Sequence, residues 1–264
     1  MNRRTFSHSL AAGCLAVASG AVTAQEKEEQ KWGNLTATFV LDGPREEPKA
    51  IAFPKGPPPG VKLPLFDDSL LVDPLFNRIE NIVVWLFVPK DAKAPPIHPS
   101  FAELVKEPAR LEFSGGQLTP RIRTLYTGQE LVVKNTDPIG YALKGDLFRN
   151  MAFMDLVPVG GEVKRKFDHP ESRPTPLSCG IHPWVNGYQL IRSDPYMGVS
   201  ATDGTLTIKN VPVGTHSFVC WQERWGWLKD ITRDGQAVQL KQGKMTIEIK
   251  PGDNDLGLIL CKPR

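Results

Sequence analysis

The 264-residue chain has few cysteines, no large excess of charge of either sign and no long hydrophobic run beyond its leader. Its length allows one large or two small domains, with a core that needs no disulfide staples. The 32 basic and 29 acidic side chains give a formal net charge of +3. This balance gives no electrostatic reason to expect nucleic acid or an anionic membrane as a partner. Because no later hydrophobic run reaches transmembrane length, we expect no integral membrane segment after signal removal.

Motifs of the common enzyme classes are also missing. The sequence has no nucleophile elbow, no H-E-x-x-H, no phosphate-binding glycine loop and no paired acid motif. The acidic pairs Glu46-Glu47 and Asp67-Asp68 lie in predicted loops and are interpreted as solvated surface charge. We therefore expect that the protein is not an enzyme.

The first 24 residues have the order of a secretion signal. Arg3-Arg4 precede an apolar run over residues 10–22, and Val22-Thr23-Ala24 supply small residues before Gln25. A basic, apolar and small-residue order predicts a signal peptide over residues 1–24 that is removed before Gln25. The run is too short to span a bilayer. The signal fits both ordinary and twin-arginine export, so we expect a periplasmic or extracellular protein.

Three cysteines follow the predicted signal: Cys179, Cys220 and Cys261. In an oxidising compartment an odd count leaves one thiol unpaired or intermolecular. Cys220 and Cys261 both lie in predicted strands near the C-terminus. The sequence allows a disulfide between them and equally allows two buried, inert thiols.

Glycine and proline interrupt the chain often, and the segments between them alternate like strands. A proline-rich loop is predicted over residues 43–64, because its prolines forbid a central strand. One helical turn is predicted around residues 101–105. Strands at this spacing without helical periodicity predict an all-β sandwich. The predicted strands cover residues 32–40, 81–88, 111–113, 121–126, 129–135, 206–208, 216–221, 245–249 and 256–260.

The segment Ser178-Cys179-Gly180-Ile181-His182-Pro183-Trp184-Val185 places a soft thiolate and an imidazole three residues apart on one loop. A thiolate with two imidazoles in a trigonal plane, and a weak axial thioether, is the donor set of electron-transfer copper sites. Cys179 and His182 are therefore candidate metal ligands. The alternative is that both residues only pack the loop.

Four segments together resemble a bacterial family of secreted cupredoxin-like proteins, some of which are labelled as methylamine-utilisation proteins. They are Asn135-Thr136-Asp137-Pro138, residues 156–161, residues 178–184 and Asp194-Pro195-Tyr196. Residues 202–208 with 211–214 are similar to a carboxypeptidase-regulatory-like, or prealbumin-like, β-module. The resemblance implies a cupredoxin-like Greek-key β-sandwich over residues 25–193 and a small prealbumin-like β-sandwich over residues 194–264.

The same resemblance implies a degenerate type 1 copper site. Metal-binding members read Asn-x-Asp-Pro-x-x-His-Asn and later Cys-x-Ile-His-Pro-Trp-Met. Cys179 and His182 match, whereas Tyr141 replaces the first histidine and Val185 replaces the axial methionine. An axial ligand can be lost because its bond is weak, but one thiolate and one imidazole cannot complete the trigonal plane. The phenol of Tyr141 would have to ionise to substitute.

Further positions offer weaker candidates. Ala142 replaces the asparagine after the first ligand, and Gln222 replaces a histidine common in the family. Three histidines are interpreted as ordinary loop or strand residues rather than ligands: His98, His169 and His216. Three methionines could bind Cu(I) but are interpreted as residues that fill gaps beneath a loop: Met151, Met154 and Met197. An aromatic group could form a stacking platform for a sugar or peptide, or the edge of a core: Trp221, Trp225, Trp227, Tyr188 and Tyr196.

The sequence therefore predicts a non-redox binding or structural protein of the cell envelope, with an unidentified envelope partner and no cofactor. The alternative is a copper-binding electron carrier or copper handler that uses Cys179 and His182.

Overall fold

The computed structural model describes residues 31–263, so the predicted signal peptide over residues 1–24 lies outside the described residues. Nearly all regular structure in this range is β, with one short helix, α1 (Phe101–Leu104), at the predicted helical turn. The strands are β1 (Trp32–Leu41), β2 (Val83–Leu86), β3 (Ala109–Ser114), β4 (Gln117–Thr119), β5 (Ile122–Tyr126), β6 (Leu131–Asn135), β7 (Tyr141–Gly145), β8 (Phe153–Val157), β9 (Glu162–Arg165), β10 (Thr175–Cys179), β11 (Asn186–Arg192), β12 (Met197–Val199), β13 (Thr205–Pro212), β14 (Gly214–Gln222), β15 (Gly226–Trp227), β16 (Asp230–Arg233), β17 (Gln236–Gln239), β18 (Lys244–Ile249) and β19 (Gly252–Cys261).

Strands from both ends of the chain form one unit, which we call the terminal unit (β1, β2 and β12–β19). One sheet has the order β13-β1-β19-β16-β17, and the other has β12-β2-β14-β15 with β18 beside β14. Strand β1 alternates inward and outward, so that Leu35, Ala37, Phe39 and Leu41 are buried. These side chains join buried residues of both sheets in one core.

The predicted domain boundary between residues 193 and 194 is wrong. The first strand was predicted to belong to a domain over residues 25–193, but β1 pairs antiparallel with β13 and parallel with β19. Strand β2 likewise lies between β12 and β14. Residues 194–264 therefore share sheets with N-terminal strands rather than forming a separate small module. Alternation shows that a strand has a buried face, but it does not identify the partner strand.

The intervening strands form the inserted unit (β3–β11), which is a β-sandwich. Its two sheets have the orders β5-β11-β10-β7-β8 and β4-β3-β6-β9. Their inward side chains share a second core. The predicted strands at 121–126 and 129–135 correspond to β5 and β6. Residues 136–168, in contrast, contain β7, β8 and β9, although no strand was predicted there.

A third apolar cluster joins the two units. It contains residues of β2, β12 and β14 from the terminal unit and of β5 and β11 from the inserted unit: Val83, Trp85, Ile122, Leu190, Met197, Val219 and Trp221. Beside it, the guanidinium of Arg121 forms ion pairs with Asp68 and Glu223. The units are therefore held together by both apolar packing and a buried charge cluster.

The predicted proline-rich loop over residues 43–64 contains only one isolated bridge residue, Ala50, as the prolines require. It packs on the inserted unit through Phe53, whose ring lies nearly perpendicular to that of Trp184 with the ring centroids 4.9 Å apart. Gly60 approaches Pro138 so closely that an added Cβ would overlap the proline ring. In residues 31–263, none of the helices has the length and apolar character needed to cross a membrane.

All three cysteines of the described chain are unpaired and buried. Cys220 and Cys261 lie in the core of the terminal unit. Burial raises the pKa of the Cys220 thiol to about 12 and moves the pKa of Cys261 in the same direction. The sequence left open a disulfide between Cys220 and Cys261 or two buried, inert thiols, and the structure shows the thiols.

Candidate functional site

Cys179 ends β10, and its sulfur lies at the start of a short turn that we call the Cys179 loop (residues 179–185). The backbone N–H groups of Ala142 and His182 each donate to Sγ over 3.4 Å. The Nδ1 atom of His182 lies 3.6 Å from the same sulfur. Cys179 is only 5% exposed. The two candidate ligands predicted from sequence are thus brought together.

The Cys179 loop is closed by its own backbone. The N–H of Val185 donates to the carbonyl of His182 over 3.0 Å, and the N–H of Cys179 donates to the carbonyl of Val185 over 3.1 Å. Val185 is 1% exposed and packs in the core of the inserted unit. Val185, which the resemblance aligns with an axial methionine, is therefore an apolar core residue with no side-chain donor atom.

Tyr141, which the resemblance aligns with a ligand histidine, begins β7. Its ring stacks on Phe113, with centroids 4.1 Å apart and planes within 2° of parallel. The Tyr141 and His182 rings form a T-shaped contact with their centroids 5.1 Å apart. The hydroxyl donates to Oδ2 of Asp137 over 2.6 Å. Burial, reinforced by this bond, raises the pKa of Tyr141 above its ordinary value of 10. The raised pKa favours the protonated phenol, and protonation opposes metal binding by its oxygen.

Asp137 anchors this arrangement. Its carboxylate also accepts hydrogen bonds from the N–H groups of Gly115 at 2.6 Å and Gly116 at 2.8 Å. Both glycines have positive φ, at 63° and 86°, a backbone conformation that other residues rarely adopt. Asn135 accepts the N–H of Asp137 over 3.0 Å. The two glycine N–H groups fix the buried carboxylate of Asp137, and the fixed carboxylate in turn holds the Tyr141 hydroxyl.

The other sequence candidates lie apart from this group. Gln222 is fully buried in the terminal unit, where its Nε2 donates to the carbonyl of Ser69 over 2.6 Å. Its Oε1 accepts the N–H groups of Arg224 and Trp225, so it stabilises the turn after β14. His216 bonds the carbonyl of Pro212 over 2.7 Å. In the described part of the chain, no group of three or more His, Cys, Asp or Glu side chains could hold a metal.

The methionines divide into two kinds. Met197 is buried between the two units, as expected of a packing residue. Met151 and Met154 are instead 90% and 59% exposed, so they do not fill gaps beneath a loop. Met154 lies against the Cys179 loop at Gly180. A Cβ atom built on Gly180 would be 3.1 Å from Cε and 3.5 Å from the sulfur of Met154.

The aromatic group predicted as a platform or a core edge belongs largely to the cores. Tyr196 is fully buried, and Trp225 and Trp221 are 5% and 8% exposed. Tyr188 and Trp221 contact each other at 5.0 Å between ring centroids, at the junction of the units. These rings therefore offer little free face for stacking a sugar or peptide.

Sequence patterns missed the Arg121 cluster. The guanidinium donates to both carboxylate oxygens of Glu223, over 2.6 and 2.7 Å, and to Asp68. Asp68 was interpreted as solvated surface charge, and its side chain is 23% exposed within this cluster. Burial opposes the charge of Arg121, but the bond and attraction to Glu223 outweigh it and raise the pKa of Arg121. No local motif signals this contact, because its partners are 53 and 102 residues away.

The residues of the site do not fit a type 1 copper ion. One thiolate and one imidazole are in reach of each other, whereas the trigonal plane needs a second imidazole. The protonated phenol of Tyr141 and the apolar side chain of Val185 supply no donor. The arrangement can still present one soft thiolate and one imidazole to a metal of low coordination number.

No family model and no curated protein matches this chain. Among solved structures, it is similar to a purple cupredoxin from Nitrosopumilus maritimus, with 15% identity over 31% of this chain and 98% of that chain, at a TM-score of 0.27. A copper-containing nitrite reductase from Thermus scotoductus SA-01 is 18% identical over 39% of this chain and 24% of its own chain, with a TM-score of 0.30. A Cu(I) form of a mutant amicyanin is 10% identical over 38% of this chain and 94% of its own chain, with a TM-score of 0.30. The all-β assignment rests on the strand pairing itself.

His182 should make stability depend on pH. Burial lowers the pKa of this imidazole from its ordinary value of 6.5. As pH falls through about 6.5, the unfolded chain takes up the proton before the folded chain does, so the free energy of unfolding should decrease. We expect His182→Asn to reduce this acid sensitivity, as measured by urea unfolding at neutral and mildly acidic pH. His169→Asn replaces an exposed histidine and is the matched control. An equal effect of both variants would contradict the prediction.

Proposed function

We propose that this chain is a secreted cupredoxin-like protein with a degenerate type 1 copper site, and that it acts as a non-redox binding or structural protein of the cell envelope. The hydrogen bond from the Tyr141 hydroxyl to Asp137 is the observation that carries the proposal. It places a protonated phenol where metal-binding relatives are expected to have an imidazole. The order of residues 1–24 supports secretion.

The packing around Tyr141 supports a structural role for the former site. Phe113 covers one face of the phenol ring, and Asp137 holds its hydroxyl. A metal-binding arrangement would leave a donor atom free to face Cys179, but here the polar atom of Tyr141 is engaged elsewhere. We also propose that the chain has no catalytic role, since its sequence carries no catalytic motif.

Copper titration tests the proposal. We expect the purified protein with added Cu(II) to show no intense thiolate-to-copper band and to retain less than one copper per chain. The double variant Tyr141→His with Val185→Met restores one imidazole and one thioether, so it should gain such a band. Absorption spectroscopy and metal analysis after gel filtration measure both outcomes.

The variant Tyr141→Phe with Val185→Leu is the matched control, because it changes the same positions without adding donors. An intense band in the unaltered protein would overturn the proposal. No gain of a band in the folded double variant would show that the ligand positions are assigned incorrectly.

A second candidate function is the handling of Cu(I). Cys179 Sγ and His182 Nδ1 lie 3.6 Å apart, and the Met154 thioether lies against the same loop. Soft sulfur ligands select Cu(I). Competition with a chromogenic Cu(I) chelator under anaerobic conditions measures this directly. Stoichiometric Cu(I) that is lost in Cys179→Ser and kept in Cys220→Ser would favour this function over the first.

A further inference from the structure

An open cleft of about 1020 Å³ lies between the two units, away from the Cys179 loop. Its volume is at the upper end of the range of small-molecule sites. One wall comes from residues 85–94 with β14, β15 and β18, and the other from the segments before β8 and around β10 and β11. Aromatic rings line it from both sides: Trp85, Phe87, Phe148 and Trp227.

The charge of this cleft is strongly positive. Five of its lining residues are basic: Lys90, Arg149, Arg173, Arg192 and Lys244. Glu171 is the acidic residue of the lining, and it is 1% exposed. Its carboxylate already accepts hydrogen bonds from the backbone N–H groups of Phe148, Arg149 and Asn150. Glu171 thus holds the loop of one wall, and within residues 31–263 it forms no ion pair with these cations.

Cations on both walls are held by aromatic rings. Lys244 Nζ lies 3.6 Å from the ring centroid of Phe87, and Arg173 Cζ lies 4.3 Å from that of Phe148. A cation–aromatic contact orients the cation without neutralising its charge, because the ring carries no net charge. In residues 31–263, neither cation, nor Lys90 or Arg149, forms an ion pair with a carboxylate.

Arg192 is a largely buried cation of the lining that is already paired with a carboxylate. Its side chain is 12% exposed, and Nη2 donates to the carbonyl of Leu86 over 3.1 Å and to Asp194 over 2.7 Å. Its Nε–H is buried and has no hydrogen-bond partner. Arg192 is therefore fixed in place by Asp194, and the four basic lining residues that form no ion pair within residues 31–263 supply the positive charge available to a ligand.

We propose that this cleft binds a small organic ligand that carries two or more anionic groups, either carboxylates or phosphates. Arg173 and Lys244 face such a ligand from opposite units, and arginine and lysine both bind these oxygens through charge-assisted hydrogen bonds. The aromatic rings beside them supply apolar contact for the ligand's carbon skeleton. Cys179 and His182 do not line the cleft, so this inference stands or fails separately from the copper proposal.

Calorimetric titration with citrate, a tricarboxylate, and with tripolyphosphate tests the inference. We expect the protein to bind at least one probe and to bind glucose, a neutral control, not at all. Affinity should fall as ionic strength rises. The variant Arg173→Gln with Lys244→Gln removes one cation from each wall and should weaken the binding by about tenfold or more. The tighter probe identifies the preferred anionic group.

The variant Lys166→Gln with Lys209→Gln is the matched control, because it removes two exposed positive charges, one in each unit, that do not line the cleft. It should keep the affinity of the unaltered protein. If the first double variant does not fold, Lys90→Gln with Arg149→Gln changes two exposed cleft residues instead. Failure of both probes to bind, or equal affinities of cleft and control variants, would overturn the inference.

Discussion

Replacing Arg121 with alanine is expected to lower the free energy of unfolding by about 3–5 kcal/mol, the usual cost of breaking a buried ion pair from one side. The Arg121 side chain is 10% exposed and that of Glu223 is 11% exposed. Without the guanidinium, Glu223 and Asp68 would be left unpaired at the junction of the two units. Chemical unfolding followed by fluorescence and circular dichroism measures the loss.

Arg224→Ala is the matched control for this variant. Arg224 lies next to Glu223, is 33% exposed at its side chain and pairs with the half-exposed Asp67 over 3.2 Å. Exposed ion pairs contribute about 0–1 kcal/mol, so we expect a small change. Equal losses in the two variants would show that the Arg121 cluster does not hold the units together.

Replacing Trp85 with alanine should cost about 3–5 kcal/mol, as for large aromatic residues in other cores. Trp85 lies in β2, is 2% exposed and belongs to the apolar cluster shared by both units. Its ring centroid is 5.7 Å from that of Trp227. The free energy of unfolding from urea titration measures the effect, and Trp85→Phe should lose less because it keeps an aromatic ring.

Trp32→Ala serves as the control for a tryptophan outside the interface. Trp32 begins β1, is partly exposed and contacts the His98 ring at 5.1 Å. Its removal empties less buried space, so we expect a smaller loss. A loss at Trp32 as large as that at Trp85 would contradict the assignment of Trp85 to the junction of the units.

Strands with a buried face were predictable from the sequence, but their partners were not. The alternation of residues 32–40 and the hydrophobic run at 81–88 correspond to β1 and β2. In contrast, β7 and β8 are five-residue strands with irregular burial, and no alternation marks them. The parallel pairing of β1 with β19 joins residues more than 200 positions apart, which no local pattern encodes.

The candidate site was predictable only where its residues are close in sequence. Cys179 and His182 are three residues apart, and a turn of this length brings Sγ and Nδ1 to 3.6 Å. The identity of Tyr141 excluded an imidazole there, but its hydroxyl bond to Asp137 and its stacking on Phe113 emerged only from the fold. The basic cleft has no sequence signature, because its cations come from distant segments.

Residue identity and local spacing alone determined that the chain is rich in β-strands, that Cys179 and His182 share a loop, and that positions 141 and 185 carry neither an imidazole nor a thioether. The tertiary structure alone decided that N- and C-terminal strands share sheets, that Arg121 joins two units, and that five cations line one cleft. The physical reason is the distance along the chain over which each interaction acts. Side-chain alternation, turns and donor chemistry act within a few residues, whereas sheet partners and buried charge contacts depend on packing between segments that lie far apart along the chain.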